Sequence, residues 1–468
     1  MRKKRKNTVF ERVKIESMAA EGKCVARVED KVIFIKGVAP GDVADIQVTR
    51  KKKSFLEGIP IKFHAYSDKR AAPFCEHFGT CGGCKWQHIN YETQLFYKRQ
   101  QVIDSLERIA KVELPDIQPI LSSENTRYYR NKMEYTFTNR KWLTPEEIKS
   151  GDKINRDAIG FHIPGRFDWV IDINACHLQE EISNKIRLRV KEFAKTNGLS
   201  FYDILKNNGL LRILIVRITS LGEIMVIVQF GQNDTPKIDL LLNHLKEMFP
   251  EITSLHYVIN TKKNDTFNDL EVKTFSGKGY ITEELEGLQF RIGPKSFFQT
   301  NSQQALELYK VTKDFAALSG EEIVYDLYTG TGTIANFVAN DAKKVIGLEY
   351  VADAIKDAKV NSAINKIKNT AFFAGDIKDL LDEVFLSKNG QPDVIITDPP
   401  RAGMHAEVVE MLLKTKAKKI VYISCNPATQ ARDVALLDAQ YRVAKVQPVD
   451  MFPQTHHVEN VVLLTLKE

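Results

Sequence analysis

Short apolar runs broken by turn signals fill residues 8 to 63: VFERVKIESM, CVARVED and KVIFIKGVAPGDVADIQVTRKKKSFLEGIPIKF. With turns at Glu21-Gly22, Glu29-Asp30 and Pro40-Gly41-Asp42, this pattern predicts five short strands in a small OB-like β-barrel. The apolar spacing becomes helical in YETQLFYKRQQVIDSLERIAKV, residues 91 to 112. From about residue 125 to 290 the pattern is mixed α and β. There LLRILIVRIT and EIMVIVQF predict paired strands, and LLLNHLKEMF predicts a helix. From 291 onward EEIVYDLY, KKVIGLEY, AFFAGD, PDVIITD and KKIVYISC are strand-like runs separated by helical stretches, the alternation of a doubly wound parallel sheet. YRVAKVQPVDMF and HVENVVLLTLK add two more strands. The chain is read as three parts, 1–66, 67–290 and 291–468, with helix 91–112 a candidate to pack on the third.

Composition refines this picture at one end. The formal charge is +7, and residues 1 to 70 hold 18 Lys+Arg against 9 Asp+Glu while the remainder is close to balanced. A basic barrel points to a polyanion, nucleic acid above all. The opening MRKKRK is equally readable as a solvated tail. No run of about 18 apolar residues suggests a membrane span, and the polar start lacks the apolar core of a signal peptide. A cytoplasmic protein without a membrane role or an obligate protein partner is expected. RYYRNKMEYTF, 127 to 137, mixes cations with aromatics, which suits stacking on bases and is also ordinary for an amphipathic strand.

Chemistry concentrates at the ends of the predicted parallel strands. YDLYTGTGTIANFVA is a strand, a glycine turn and a helix, and Gly330 and Gly332 let backbone pass close to a ligand. Glu349 ends the next strand, where a carboxylate can accept bonds from two ribose hydroxyls. Asp376 and Asp398 end two further runs. The glycine pattern is not the full dinucleotide fingerprint, so S-adenosylmethionine (SAM) is favoured and NAD stands second. In DPPRAGM, Arg401 occupies the place of the aromatic that amino-methylating enzymes stack on a base.

VYISCNPATQARD sets Cys425 at the end of a strand, with Pro427 able to open the following helix. A helix N-terminus favours thiolate, although buried cysteines are often only small apolar fillers. Uracil C5 is too weak a nucleophile to take a methyl group from a sulfonium. A thiolate adding at C6 converts the ring to an enolate and makes C5 nucleophilic. A base must then remove the C5 proton, and HHVEN offers Glu459, with His456 and His457 as rivals.

Together FFQTN (297–301), DLYTGTGT, IGLE, DPPRAGM, ISCNPATQARD and DMFPQTHHVEN resemble the class I SAM-dependent RNA (uracil-5-)-methyltransferases over nearly the whole chain. The resemblance implies an α/β fold: a Rossmann-like class I methyltransferase domain behind an N-terminal OB-like TRAM barrel that binds RNA, and a central α+β iron–sulfur domain. It implies Cys425 as nucleophile and Glu459 as base. It assigns SAM contacts to Gln299, Tyr328, Glu349 and Asp398, with Thr333 and Asp376 as further candidates beside Gly330 and Gly332. CEHFGTCGGCKW is similar to the family's cluster segment, so that Cys75, Cys81, Cys84 and Cys176 would ligate a [4Fe–4S] cluster. The thiol spacing alone leaves zinc open. Cys24 has no such role and is expected to be structural. The tRNA-modifying members resembled usually lack both barrel and cluster, which points to 23S rRNA as the substrate. The other readings are a tRNA enzyme, an RNA-binding protein with an inactive domain, an amino-methylating enzyme, and a radical-SAM modifier, whose C-x3-C-x2-C is absent.

Overall fold

The computed structural model describes residues 8–468, so MRKKRK lies outside the described residues. The barrel has six strands rather than five, in the order Val9–Lys14, Val43–Lys51, Phe55–Ala65, Lys31–Ile35, Cys24–Val28 and Ser17–Met18. The additional strand is the two-residue Ser17–Met18, too short to leave a periodic signal. Alternate positions such as Ala26, Ile33, Ile35, Ala44 and Ile46 are fully buried and fill the barrel. Cys24 is buried among them and its thiol donates to the Val38 carbonyl at 3.0 Å, a structural role. Asp42 closes the barrel's exit: its buried carboxylate accepts the Ser67 amide at 2.9 Å and the Arg70 guanidinium at 2.8 Å.

A seven-stranded sheet follows, in the order Val272–Gly277, Ile252–Ile259, Ile224–Phe230, Leu211–Ile218, Lys132–Thr138, Ala158–Ile163 and Arg166–Asp172. The two apolar runs read as paired strands are neighbours in it, antiparallel, with every residue buried. The period of two explains why. Leu214, Val216, Val226 and Val228 face helices Glu181–Thr196 and Thr235–Met248, whereas Ile213, Ile215, Met225 and Ile227 join a core shared with the third sheet.

That third sheet has the order Thr370–Ala374, Lys344–Glu349, Ile323–Leu327, Val394–Thr397, Lys419–Ser424, Glu459–Leu466 and Tyr441–Val449. The first five strands are parallel and the last two antiparallel to their neighbours. Residue 290 falls inside the strand Leu288–Ile292, which pairs with Ile281–Leu285. Ile281, Leu285, Phe290 and Ile292 share a core with Leu308, Ile334 and Ile355, so this hairpin belongs with the catalytic sheet and the division lies before residue 281.

Helix Tyr91–Ser105 runs into a π-helical turn, Leu106–Ala110, and stops where Lys111 turns left-handed at φ 55°. Val102, Leu106 and Ala110 lie in one core with Leu327, Tyr422 and Val446 of the catalytic sheet. The catalytic core is therefore completed by a segment that ends at Ala110, far upstream of the sheet's first strand, Ile323–Leu327. Leu106→Ala is expected to remove about 2–5 kcal/mol of stability by opening a cavity against that sheet, measured by urea unfolding.

Candidate active site

Strand Lys419–Ser424 is buried from Ile420 to Ser424; Cys425 follows at its carboxyl end and is half-buried. Asn426 turns the chain, accepting the Ala428 amide at 3.2 Å, and Pro427 opens helix Pro427–Leu437. The neighbouring strand runs the other way, with Ser424 paired to Asn460. Cys425 and Glu459 each adjoin that last pair, and the Glu459 charge acts on the thiol. Gln430 pins the register by donating to the carbonyls of Tyr422 (2.9 Å) and Asn460 (3.1 Å) while accepting the Asn460 amide at 2.7 Å.

These groups share one acidic, desolvated corner. Burial pushes the Cys425 thiol up to about 11, the charges of Glu459 and Asp398 add to the shift, and Arg401 opposes it. The expectation of a thiolate stabilised by the helix N-terminus is thus corrected. A helix dipole contributes about 0.3–1 kcal/mol, under one pKa unit, and here desolvation and two carboxyl groups outweigh it. Glu459 is buried, and desolvation followed by the Asp398 charge holds its carboxyl well above the usual range. Burial raises Asp398 to about 7. The rings of His456 and His457 lie 4.1 Å apart, tilted by 37°, and burial drives them down to about 3 and about 4, so both are neutral near pH 7.

The remaining sequence-chosen residues line the same carboxyl edge. Tyr328, half-buried and left-handed at φ 63°, begins the turn after Ile323–Leu327. Gly330 donates its amide to Glu349 at 3.2 Å, which ties the turn to the end of the next strand. Gly332 has φ 75°, and a Cβ there would stand 2.9 Å from the Ala358 Cβ, so the turn and helix Ala352–Ile364 pack only around glycine. Thr333 is buried, its hydroxyl 3.3 Å from that of Thr331. Asp376 caps helix Ile377–Leu380, and Asp398 follows Val394–Thr397 directly. Gln299 lies apart from the strand ends in sequence, in the loop before helix Ser302–Ala316, where its carbonyl accepts the Asn131 side chain at 2.8 Å.

Sequence reasoning passed over several groups that shape this edge. Buried Asp326 accepts the Thr329 hydroxyl at 2.5 Å and the Ala335 amide at 3.1 Å, and so folds the glycine turn; desolvation raises it to about 7. Arg432 and Asp433 staple the DPPRAGM loop: Asp433 accepts the Met404 amide at 2.9 Å, and Arg432 donates to the Ala402 and Met404 carbonyls at 3.1 Å. Gly403 has φ 81°, and a Cβ on it would fall 2.5 Å from Arg432 Nη2. The signal was the charged pair inside the capped helix. The RYYRNKMEYTF run also divides. Tyr128 is exposed, but buried Tyr129 donates to the Pro453 carbonyl at 3.0 Å, and Tyr135 and Phe137 are core.

Cys75, Cys81, Cys84 and Cys176 line a separate cavity of about 330 Å³, together with His77, Arg130 and Lys132. The Gly83 amide approaches the Cys81 sulfur at 3.5 Å. Among the described residues no group of three or more His, Cys, Asp or Glu side chains is arranged to hold a metal ion. No helix there is long and apolar enough to cross a membrane.

Comparison with known proteins fits this layout. Residues 271–467 match the tRNA (Uracil-5-)-methyltransferase family, and residues 6–61 match the TRAM domain. An uncharacterized RNA methyltransferase of Bacteroides thetaiotaomicron is 57% identical over 96% of this chain and 100% of its own. One from Porphyromonas gingivalis is 54% identical over 97% of this chain and 99% of its own. Among solved structures, Pyrococcus abyssi tRNA (uracil-54, C5)-methyltransferase in complex with S-adenosyl-L-homocysteine superimposes with a TM-score of 0.75 at 29% identity, covering 97% of this chain and 100% of that one. With its barrel, its sheet order and its full-length relatives in agreement, the chain belongs to the RNA (uracil-5-)-methyltransferases, as a member carrying a TRAM domain.

Proposed function

We propose that this enzyme transfers a methyl group from SAM to C5 of a uridine in RNA through a covalent Cys425–C6 adduct. The observation that supports the reading is that Cys425 and Glu459 both adjoin the Ser424–Asn460 pair at the carboxyl edge of the sheet, close enough for the Glu459 charge to act on the thiol. SAM supplies the methyl group as an electrophile and carries a positive sulfonium. Gln299, Tyr328, Gly330, Gly332, Thr333, Glu349, Asp376 and Asp398 are the residues proposed to hold it. The target base must leave its stack to reach this edge.

The chemistry then follows from the two facing groups. Cys425 sulfur bonds to C6, and the C5–C6 π pair moves toward O4 as an enolate. C5 takes the methyl group as the sulfonium carbon–sulfur bond breaks and leaves a neutral thioether. Glu459 removes the C5 proton, C5–C6 re-forms as a double bond, and the thiolate departs. A carboxyl group whose proton affinity is raised by burial becomes a strong base once ionised. His456 and His457 are weaker rivals because burial leaves them poor proton acceptors at neutral pH. Arg401, beside the thiol, is suited to hold the flipped ring or its phosphate.

For the substrate we propose 23S rRNA, on the pairing of a barrel with a cysteine cluster. A tRNA target is the second reading, favoured by one observation: the Pyrococcus abyssi tRNA enzyme covers 97% of this chain, the barrel included. Cys75, Cys81, Cys84 and Cys176 are proposed to hold a [4Fe–4S] cluster. The four cysteines share the lining of one cavity of about 330 Å³, which supports a common ligand for their thiols. The neighbouring Arg130 and Lys132 would offset the negative charge of a thiolate-bound cluster.

Cells lacking the protein should lose a 5-methyluridine from rRNA or tRNA, regain it with the wild-type gene, and fail to regain it with Cys425→Ala, which should still bind SAM. Glu459→Gln should accumulate a protein–RNA adduct that survives denaturing electrophoresis; its absence at every time point removes Glu459 as the base. A third outcome concerns pH. The thiol is raised to about 11 in the ligand-free protein, so its reactive thiolate is scarce at pH 7 and grows with pH. Alkylation of the Cys425 peptide, followed by mass spectrometry, should therefore rise about tenfold per pH unit up to about pH 10. At fixed pH it should be faster with SAM than with S-adenosylhomocysteine, which lacks the positive charge. Finally, protein purified without oxygen should contain iron and sulfide and absorb in the visible range, and Cys176→Ala should lose both.

A further inference from the structure

The loop 450–458 joins the two last strands and ends on Glu459. Its backbone is held almost entirely from outside the catalytic sheet. Four consecutive carbonyls are each taken by donors from other segments. Met451 receives the Asn301 side chain at 3.0 Å and Phe452 receives Lys98 Nζ at 3.0 Å. Pro453 receives the Tyr129 hydroxyl at 3.0 Å, and Gln454 receives the amides of Lys85 and Trp86 at 2.9 and 3.0 Å. Gln454 is left-handed at φ 67°, and Gln94 grips it twice, accepting its amide at 2.9 Å and donating to its side-chain oxygen at 3.1 Å. At the head of the loop, Asp450 is fully buried with Lys98 at 2.5 Å, while Tyr91 donates to its other oxygen at 2.8 Å. Tyr91, Gln94 and Lys98 all come from helix Tyr91–Ser105. Lys85 and Trp86 directly follow Cys84, and Trp86 Nε1 in turn donates to the barrel at Gly22.

A fully buried ion pair and a reciprocal amide pair are costly to place and lose much when one partner goes. That investment falls on a loop whose only chemistry-bearing terminus is Glu459. We propose that helix Tyr91–Ser105, through Gln94 and Lys98 and with Tyr129, is the brace that positions Glu459 for removal of the C5 proton. These are positioning residues; none lies at the thiol. The inference rests on Glu459 being the base. It predicts a specific fault: methyl transfer to the adduct continues, while its resolution slows.

The test uses the full-length enzyme, labelled SAM and total RNA from cells lacking the protein. Tyr129→Phe removes one hydrogen bond and Gln94→Ala removes the double grip. Each should lower turnover by about tenfold or more and accumulate the covalent protein–RNA complex, with SAM affinity unchanged by calorimetry. Gln94→Glu, which keeps the acceptor for the Gln454 amide, should recover part of the rate. Turnover within about twofold of wild type in both variants, or an equal loss without accumulated adduct, overturns the brace. Glu459→Gln run alongside separates the two ideas. If it traps no adduct the base assignment fails; if it traps one and the brace variants do not, only the brace fails.

Discussion

The antiparallel register between Lys419–Ser424 and Glu459–Leu466 is the constraint on which the site depends. A parallel sheet alone would bring the thiol to its carboxyl edge but would supply no partner there from the end of the chain. Reversing the last strand delivers a residue at its beginning, Glu459, to the place where the previous strand ends. A shift of one residue would turn every side chain of that strand to the other face. Gln430 spans both strands at this level and Asn460 answers it, so the pairing is fixed where the chemistry needs it.

The same geometry creates an electrostatic problem. Cys425, Glu459 and Asp398 are all acids and all desolvated; the Asp398 charge raises Glu459, and both carboxyl groups raise the thiol. In the ligand-free protein desolvation favours the protonated form of each. The corner is then a store of unexpressed negative charge, complementary to a sulfonium and to the flanking Arg401. Catalytic groups with raised proton affinity in a shared pocket are a recurring mark of acid–base sites. Here the shift works against premature thiolate formation, which also protects the sulfur from oxidation.

Much of this was legible. Cys425 stood out because a period-free apolar run ended in Asn-Pro, and that ending means strand, turn and helix wherever it falls. The glycine turn and the acids at strand ends were readable for the same local reason. What could not be read were partnerships between distant segments. The helical period of residues 91 to 112 gives a helix, but nothing local says that Val102 and Leu106 face Tyr422. The division expected at residue 290 cuts the strand Leu288–Ile292, whose hairpin partner lies upstream and carries the boundary with it. The thiol's protonation state was misjudged because a helix N-terminus is visible in sequence and desolvation is not.

Those distant partnerships also bear on why the parts of this chain occur together. Trp86 and Lys85 sit at a joint where three segments meet: the barrel at Glu21 and Gly22, the cysteine segment ending at Cys84, and the loop at Gln454. A cation–π contact adds to it, with Lys98 Nζ 5.9 Å from the Trp86 ring. None of these contacts is strong alone, since each hydrogen bond contributes about 1 kcal/mol net. They are made to backbone, however, and backbone positions are what set the direction of the strand that begins at Glu459. Moving the barrel or loosening the cysteine segment therefore has a mechanical route to the catalytic corner that does not pass through the sheet.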